Sequence, residues 1–257
     1  MKQWYKKESF PHHFAETIHT GRKGSVNAKE LLLTLAENNQ QPMIARATAM
    51  NLLQNYLDPT TLKTVRNGLS SKEPMIQISA LNALDVLPSE ERFQLAGSLL
   101  NDPIKSVRIQ AASKLASVSR SGLDDKQTLQ LETAIAEYIT VQKGNSDRAF
   151  AHVNLGNLYI DLTRYDDAEH AYKKAIELER SFVPAFVNLA DLYRLQNSEQ
   201  KAESTLREAI AVNDHVSAVH HALGLSLVRQ KRYEEGLLNL ERASQIDPVN
   251  TQYNYVY

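Results

Sequence analysis

The chain has 257 residues, a net charge of −1, 42% hydrophobic residues and no cysteine. That length supports one sizeable core or two joined modules, and without cysteine these residues form no disulfide, thiolate metal site or covalent haem link. Charge so evenly balanced lacks the basic footprint of a nucleic-acid binder, and no window reaches the roughly 18–20 continuous apolar residues of a membrane span.

Residues 1–27 read as an irregular, basic segment. It carries Trp4, Tyr5, Phe10, His12, His13, Phe14 and His19, whose aromatic rings are expected to pack on the helices that follow. Met1-Lys2-Gln3-Trp4 has no apolar stretch of the kind a secretory signal needs. A short helix is expected near His13–Thr20, ended by Gly21 and Gly24. From Ala28 a repeat begins. Ile44–Leu53 aligns with Met75–Leu84 and Ser106–Leu115, an offset of 31 each time (75 − 44 and 106 − 75). Its columns read Ala49/Ala80/Ala111, Asn51/Asn82/Ser113 and Leu53/Leu84/Leu115. Pro42, Pro74 and Pro103 stand just upstream, and proline suits a first helical turn because its missing N–H is not needed there. Companion helices are expected at Ala28–Glu37, Thr60–Leu69 and Ser89–Leu100. The run Asp102-Pro103-Ile104-Lys105-Ser106-Val107-Arg108-Ile109-Gln110-Ala111-Ala112 resembles the second helix of a HEAT-type repeat. The resemblance implies a HEAT-like module over residues 28–120.

Ser117–Asp125 is a polar break, and Lys126–Val141 reads as a long amphipathic helix carrying Leu129, Ile135, Tyr138 and Ile139. Residues 121–147 are therefore expected to connect two modules, with Lys143-Gly144-Asn145-Ser146-Asp147 as a helix stop. From residue 148 the period becomes 34: Leu155-Gly156 recurs as Leu189-Ala190 and Leu223-Gly224 (189 − 155 and 223 − 189). Ala168/Ala202/Gly236, Tyr172/Leu206/Leu240 and Ala175/Ala209/Ala243 keep the same offset. Spacings of three and four within each copy make it two amphipathic helices, and a fixed period of this length marks a stacked array. Ala168 and Ala175 let the second helix approach the first, and Gly156 leaves room for its neighbour. Asn154-Leu155-Gly156-Asn157-Leu158-Tyr159, Tyr165-Asp166-Asp167-Ala168 and Ile246-Asp247-Pro248-Val249-Asn250 resemble tetratricopeptide repeats. Arg180 and Asp214 depart from that pattern where it favours proline, and its usual tryptophan column holds His152, Phe186 and His220. The expected fold class is all-α: two α-solenoids in series, HEAT-like and then tetratricopeptide. The second, over 148–257, would hold three full units and a truncated fourth.

In tetratricopeptide repeats the first helix of each unit lines a groove for proteins or peptides. The resemblance therefore places Asn154, Asn157, Asn188, Asp191, Arg194, His221, Leu225 and Arg229 in a peptide-binding groove. Ile160, Asp161, Leu195 and Val228 follow at spacings of three and four that keep one helical face. Asn154 and Asn188 resemble the asparagine ladder of some family members, where an amide that donates and accepts bonds the ligand backbone. The alternative is that they bond neighbouring helix backbone or water. The carboxylate clamp of other members is not expected, because its lysine column holds Val153, Val187 and His221.

His12, His13 and His19, and His215, His220 and His221, are loosely spaced for a metal. Adjacent helical residues point about 100° apart, however, so His220 should pack inward while His221 faces the groove. No H-E-x-x-H, G-x-S-x-G or P-loop occurs, so neither a metal nor a catalytic residue is expected. Arg46 and Arg108 share a column with Gln77 between them, a place for pairing with a neighbouring acid or helix end. The order of segments, from Gln3-Trp4-Tyr5 and Pro11–Arg22 through both repeat types, is similar to the C-terminal half of a bacterial multihaem c-type cytochrome family. That resemblance implies a periplasmic location, with a cytoplasmic one expected otherwise, haem only in a longer parent, and His13 or His19 near a haem unless they simply pack. The leading expectation is a non-catalytic scaffold that binds a protein or peptide. The alternative is the docking half of an exported multihaem cytochrome or redox-enzyme subunit, and no cofactor is expected in this chain itself. Thr251–Tyr257 begins a fourth unit, with Tyr257 at the motif leucine column (223 + 34). Leu237 and Leu240 would then be covered only by Tyr253, Tyr255, Val256 and Tyr257. The chain is accordingly expected to be a fragment whose uncapped last repeat is either frayed or buried against another copy, so that self-association through it is one outcome.

Overall fold

Apolar periodicity of three and four drives the described chain into helices joined by short turns. The computed structural model describes residues 13–248 together with Asn250 and Tyr253, and the regular structure among them is helical. The expectations for Trp4, Tyr5, Phe10 and His12, and for Thr251–Tyr257 apart from Tyr253, lie outside the described residues. The chain divides into two compact units, residues 1–138 and 139–257.

The first unit holds α1 (Phe14–Lys23), α2 (Ala28–Glu37), α3 (Met43–Leu52), α4 (Pro59–Leu69), α5 (Pro74–Ala83), α6 (Ser89–Ala96) and α7 (Lys105–Leu115). It also takes in most of α8 (Asp125–Lys143), within which the division falls. Residues 14–23 are thus a regular helix rather than part of an irregular segment. That helix does not stop at Gly21: it runs on to Gly24, whose φ of 69° is the left-handed value of a helix stop. Gly21 is needed for packing instead, since a Cβ there would lie 2.9 Å from Leu32 Cδ2. Likewise α6 ends at Ala96, before the expected Leu100, and Gly97–Asn101 tightens into a 3₁₀ turn. Glycine is a poor helix former, and a Cβ at 97 would meet the Phe93 ring at 3.2 Å. Of the three prolines, only Pro74 lies inside its helix. Pro42 is an N-cap residue, and Pro103 precedes the N-cap Ile104.

The 31-residue column joins the repeats through polar side chains. Arg46 Nη1 donates to Glu73 Oε2 at 3.0 Å and Nε to the Ala36 carbonyl at 3.4 Å. Gln77 Nε2 does the same with Asp102 Oδ2 at 3.0 Å and the Leu69 carbonyl at 3.4 Å. Arg108 grips both Glu137 oxygens at 2.8 and 2.7 Å and the Asp102 carbonyl at 2.8 Å. Each side chain so satisfies a carbonyl that a helix end leaves open and reaches an acid 25 to 29 residues further along the chain. On α8 the buried stripe is Leu131, Ala134, Ile135 and Tyr138. Leu129, expected on the same face, is 68% exposed, because two residues turn it about 200° away from Leu131.

Among its described residues the second unit contains three helix pairs: α9 (Ala149–Asp161) with α10 (Tyr165–Leu178), α11 (Val183–Leu195) with α12 (Glu199–Val212), and α13 (Ser217–Arg229) with α14 (Tyr233–Ile246). Each pair turns at one left-handed residue, Thr163, Asn197 or Lys231, with φ of 56°, 56° and 63°. The amides that follow bond back to the first helix, Arg164 to the Tyr159 carbonyl, Ser198 to Tyr193 and Arg232 to Leu227. Close approach explains the small columns. A Cβ on Gly156 would lie 2.6 Å from Tyr172 Cδ1, and Tyr172 is buried. Phe186 is buried in the tryptophan column. His152 and His220 use that column differently, each placing Nε2 near the carbonyl six residues upstream, Ser146 at 3.0 Å and Asp214 at 2.9 Å. Leu240 is not left to the end of the chain: it is buried beneath α13, where a Cβ on Gly224 would lie 2.7 Å from its Cγ.

Candidate functional site

The first helices α9, α11 and α13 are consecutive neighbours, so side chains at matching positions come side by side. Between α9 and α11 lies a hollow of about 370 Å³ whose lining includes Asn157, Asp161, Asn188 and Asp191. Between α11 and α13 lies a second of about 400 Å³, lined among others by Asp191, Arg194, His221, Leu225 and Arg229. Asp191 belongs to both. Seven of the eight candidate residues thus border the two hollows. Asn154 borders neither; its Nδ2 donates to Gln142 Oε1 at 3.2 Å.

The asparagines bond to other side chains. Asn157 Oδ1 accepts the Tyr172 hydroxyl at 2.7 Å and Asn188 Nδ2 at 2.8 Å. Burial first, and then the carboxylates of Asp161 and Asp191, hold the Tyr172 phenol far above its usual range, so it stays a neutral donor. In the second hollow Ala190, Ala202, Leu206 and Ala222 give an apolar lining. Arg194 Nε pairs with Asp191 at 3.2 Å, and Arg229 is committed to Glu199 at 2.6 Å, with the Ser226 hydroxyl on the other Glu199 oxygen at 2.8 Å. Burial alone would raise the Glu199 carboxyl, but the bonds from Arg229 and Ser226 outweigh it and keep Glu199 ionised.

His221 Nε2 is buried with no hydrogen-bond partner among the described residues, and burial lowers its pKa so that the ring is neutral. Its ring stands 4.8 Å from that of Tyr253, a lining residue that the sequence reading did not place in the groove. The signal was present: Tyr253 falls in the column of Ala151, Ala185 and Val219 (253 − 34 = 219), where a large ring is out of keeping. Tyr172, at the base of the first hollow, was read only as a packing residue.

The first unit has a larger hollow of about 790 Å³, bordered by Glu90, Phe93 and Lys126 among others. No sequence candidate lies there, and loop residues 118–124 supply much of its wall, so the helix face of the second unit is the better site. His13 acts as the N-cap of α1, its Nδ1 accepting the Ala15 N–H at 3.2 Å, and its ring rests 4.1 Å from that of Phe14. Among the described residues no three His, Cys, Asp or Glu side chains converge as metal ligands, and no helix is long and apolar enough to cross a membrane.

Models of the tetratricopeptide repeat family match residues 149–182 and 183–215. Residues 149–215 are tetratricopeptide repeats. The chain is 29% identical over 107 residues to the type IV pilus assembly protein PilF of Pseudomonas aeruginosa, covering 42% of this chain and 42% of that protein. It is 34% identical over 104 residues to ETO1-like protein 2 of Arabidopsis thaliana, covering 40% of this chain and 10% of that protein. The chain thus spans less than half the length of the curated relatives it matches. A solved tetratricopeptide repeat protein from Parabacteroides merdae covers 94% of this chain and 96% of its own, with a TM-score of 0.50 and 15% identity, a likeness of fold. The all-helical repeat fold expected from the sequence stands. Tetratricopeptide repeat proteins generally serve as protein–protein interaction scaffolds and are typically non-catalytic. Neither the family models nor these relatives support the HEAT or haem-protein resemblances.

Proposed function

We propose that this chain is a non-catalytic scaffold that holds an extended peptide or loop of a partner protein across α9, α11 and α13. The observation that carries the reading is that two adjoining hollows on the first helices share Asp191 and are bordered by Asn157, Asn188, Arg194, His221, Leu225 and Arg229. Rigid helices present them, as a preorganised binding face requires. Polar groups at the rim can meet a peptide backbone, while the apolar floor of the second hollow can bury a side chain. The first unit is proposed as a second helical-repeat module of HEAT type, on its 31-residue period and the Arg46, Gln77 and Arg108 ladder.

The test selects displayed random peptides on the full chain and measures the best of them by fluorescence anisotropy. Ala222→Phe fills the second hollow from a half-buried position and is expected to weaken binding about tenfold or more. Glu208→Ala, on an exposed position of α12, should leave it unchanged. Equal binding by both variants, or no binders at all, contradicts the proposal.

A further inference from the structure

The two hollows differ in chemistry. Two carboxylates, Asp161 and Asp191, line the first, and no lysine or arginine is among its lining residues. Both carboxylates act on the Tyr172 phenol at its base. Arg194 pairs with Asp191 through side chains that are both well exposed, and such a pair contributes little. A competing or additional cation is therefore not shut out at Asp191. Ile160, Leu192 and Leu195 complete the wall, and apolar walls below an acidic rim match a long side chain with an alkyl stem and a charged head. The second hollow has an alanine and leucine floor suited to an uncharged side chain.

Their separation is set by the fold. One hollow lies between α9 and α11, the next between α11 and α13, so they are one helix spacing apart, about 8–10 Å. A polyproline II chain rises about 3.1 Å per residue and returns to the same face every third residue, about 9.3 Å on. We infer that the groove reads an extended, polyproline-II-like peptide carrying lysine or arginine three residues from an apolar side chain, with the cation between Asp161 and Asp191 and the apolar group against Ala222 and Leu225. This rests on the peptide-scaffold reading above.

The probes are fluorescein-labelled Ala-Ala-Leu-Pro-Pro-X-Ala-Ala and Ala-Ala-X-Pro-Pro-Leu-Ala-Ala, with X as Lys, Gln or Glu, titrated with the full chain at low and high salt. In one of the two orders X = Lys should bind about tenfold more tightly than X = Gln, and X = Glu more weakly still. High salt should narrow the difference. Asp161→Asn with Asp191→Asn should abolish the lysine preference, while Leu→Ser in the peptide still weakens binding to that variant. Equal binding of Lys, Gln and Glu peptides, with Ala222→Phe still reducing it, overturns the inference and leaves the scaffold reading standing. Selected binders without a basic residue three positions from an apolar one do the same. If neither these probes nor the displayed library binds, both readings fall.

Discussion

Gly156→Ala is a substitution that helix chemistry favours and this packing forbids. In a helix interior alanine is better than glycine by roughly 0.5–1 kcal/mol. The added Cβ, however, would lie 2.6 Å from Tyr172 Cδ1 and 2.7 Å from Cζ, with Cε1 closer still. Tyr172 cannot readily swing away, because it is 2% exposed and its hydroxyl is bonded to Asn157 Oδ1 at 2.7 Å. Overpacking a tight core costs about 1–3 kcal/mol, so after the helix gain a net loss of about 1–2 kcal/mol is expected. The second repeat shows what relieves the clash: Ala190 stands in the glycine column and Leu206 in the tyrosine column (156 + 34 and 172 + 34). A double-mutant cycle of Gly156→Ala and Tyr172→Leu, read by urea unfolding in far-ultraviolet circular dichroism, should give a coupling of at least about 1 kcal/mol. Alanine should destabilise beside tyrosine and be neutral or stabilising beside leucine. If it stabilises equally in both backgrounds, the close-approach reasoning is wrong.

In the first unit, Arg108→Ala removes two bonds to Glu137 and the bonds to the Asp102 and Pro103 carbonyls, and should lower the urea midpoint at pH 7. Arg108 holds the Glu137 carboxyl below its usual 4.5, so that contribution is complete above 4.5 and fades as the pH falls through the lowered value. Urea midpoints of wild type and Arg108→Ala should accordingly converge as the pH falls below 4.5. Asp58 caps α4 and is pulled from 3.8 to about 2, first by the Thr61 N–H and then by Lys29. Asp58→Ala should lower the urea midpoint at pH 7. Its capping strength is complete above 3.8 and lost as the pH falls toward 2, whereas Asp58→Asn should melt without that dependence. Thr163→Gly, at a β-branched residue with φ of 56°, should raise stability by about 0.5–1 kcal/mol. A lower melting temperature would mean that the threonine side chain outweighs the backbone strain.

The second unit was legible because each column of its 34-residue period records one contact. Gly156 faces Tyr172, Gly224 faces Leu240, and such pairs leave small residues at fixed spacing. The Arg46, Gln77 and Arg108 ladder was legible for a similar reason: one stacking geometry demands a polar side chain at each step. Leu129 was misplaced because a single leucine near a helix start fits two faces until the neighbouring helix chooses Leu131. The break at Gly97 depends on a local contact with Phe93 that no period encodes. Among the candidate residues, identity gave position but not partner. Nothing in the sequence says that Asn154 turns to Gln142, or that Arg229 is held by Glu199 across 30 residues. These bonds follow from which side chains the stacking brings within reach, and that is set by tertiary spacing.

The most direct test of the groove is hydrogen exchange on the full chain, with and without the tightest selected peptide. Binding across the first helices predicts slower exchange in α9, α11 and α13, strongest around Asn157, Asp191 and Leu225, with α10, α12 and α14 changing little. Protection confined to α10, α12 and α14, or to the first unit, would contradict it.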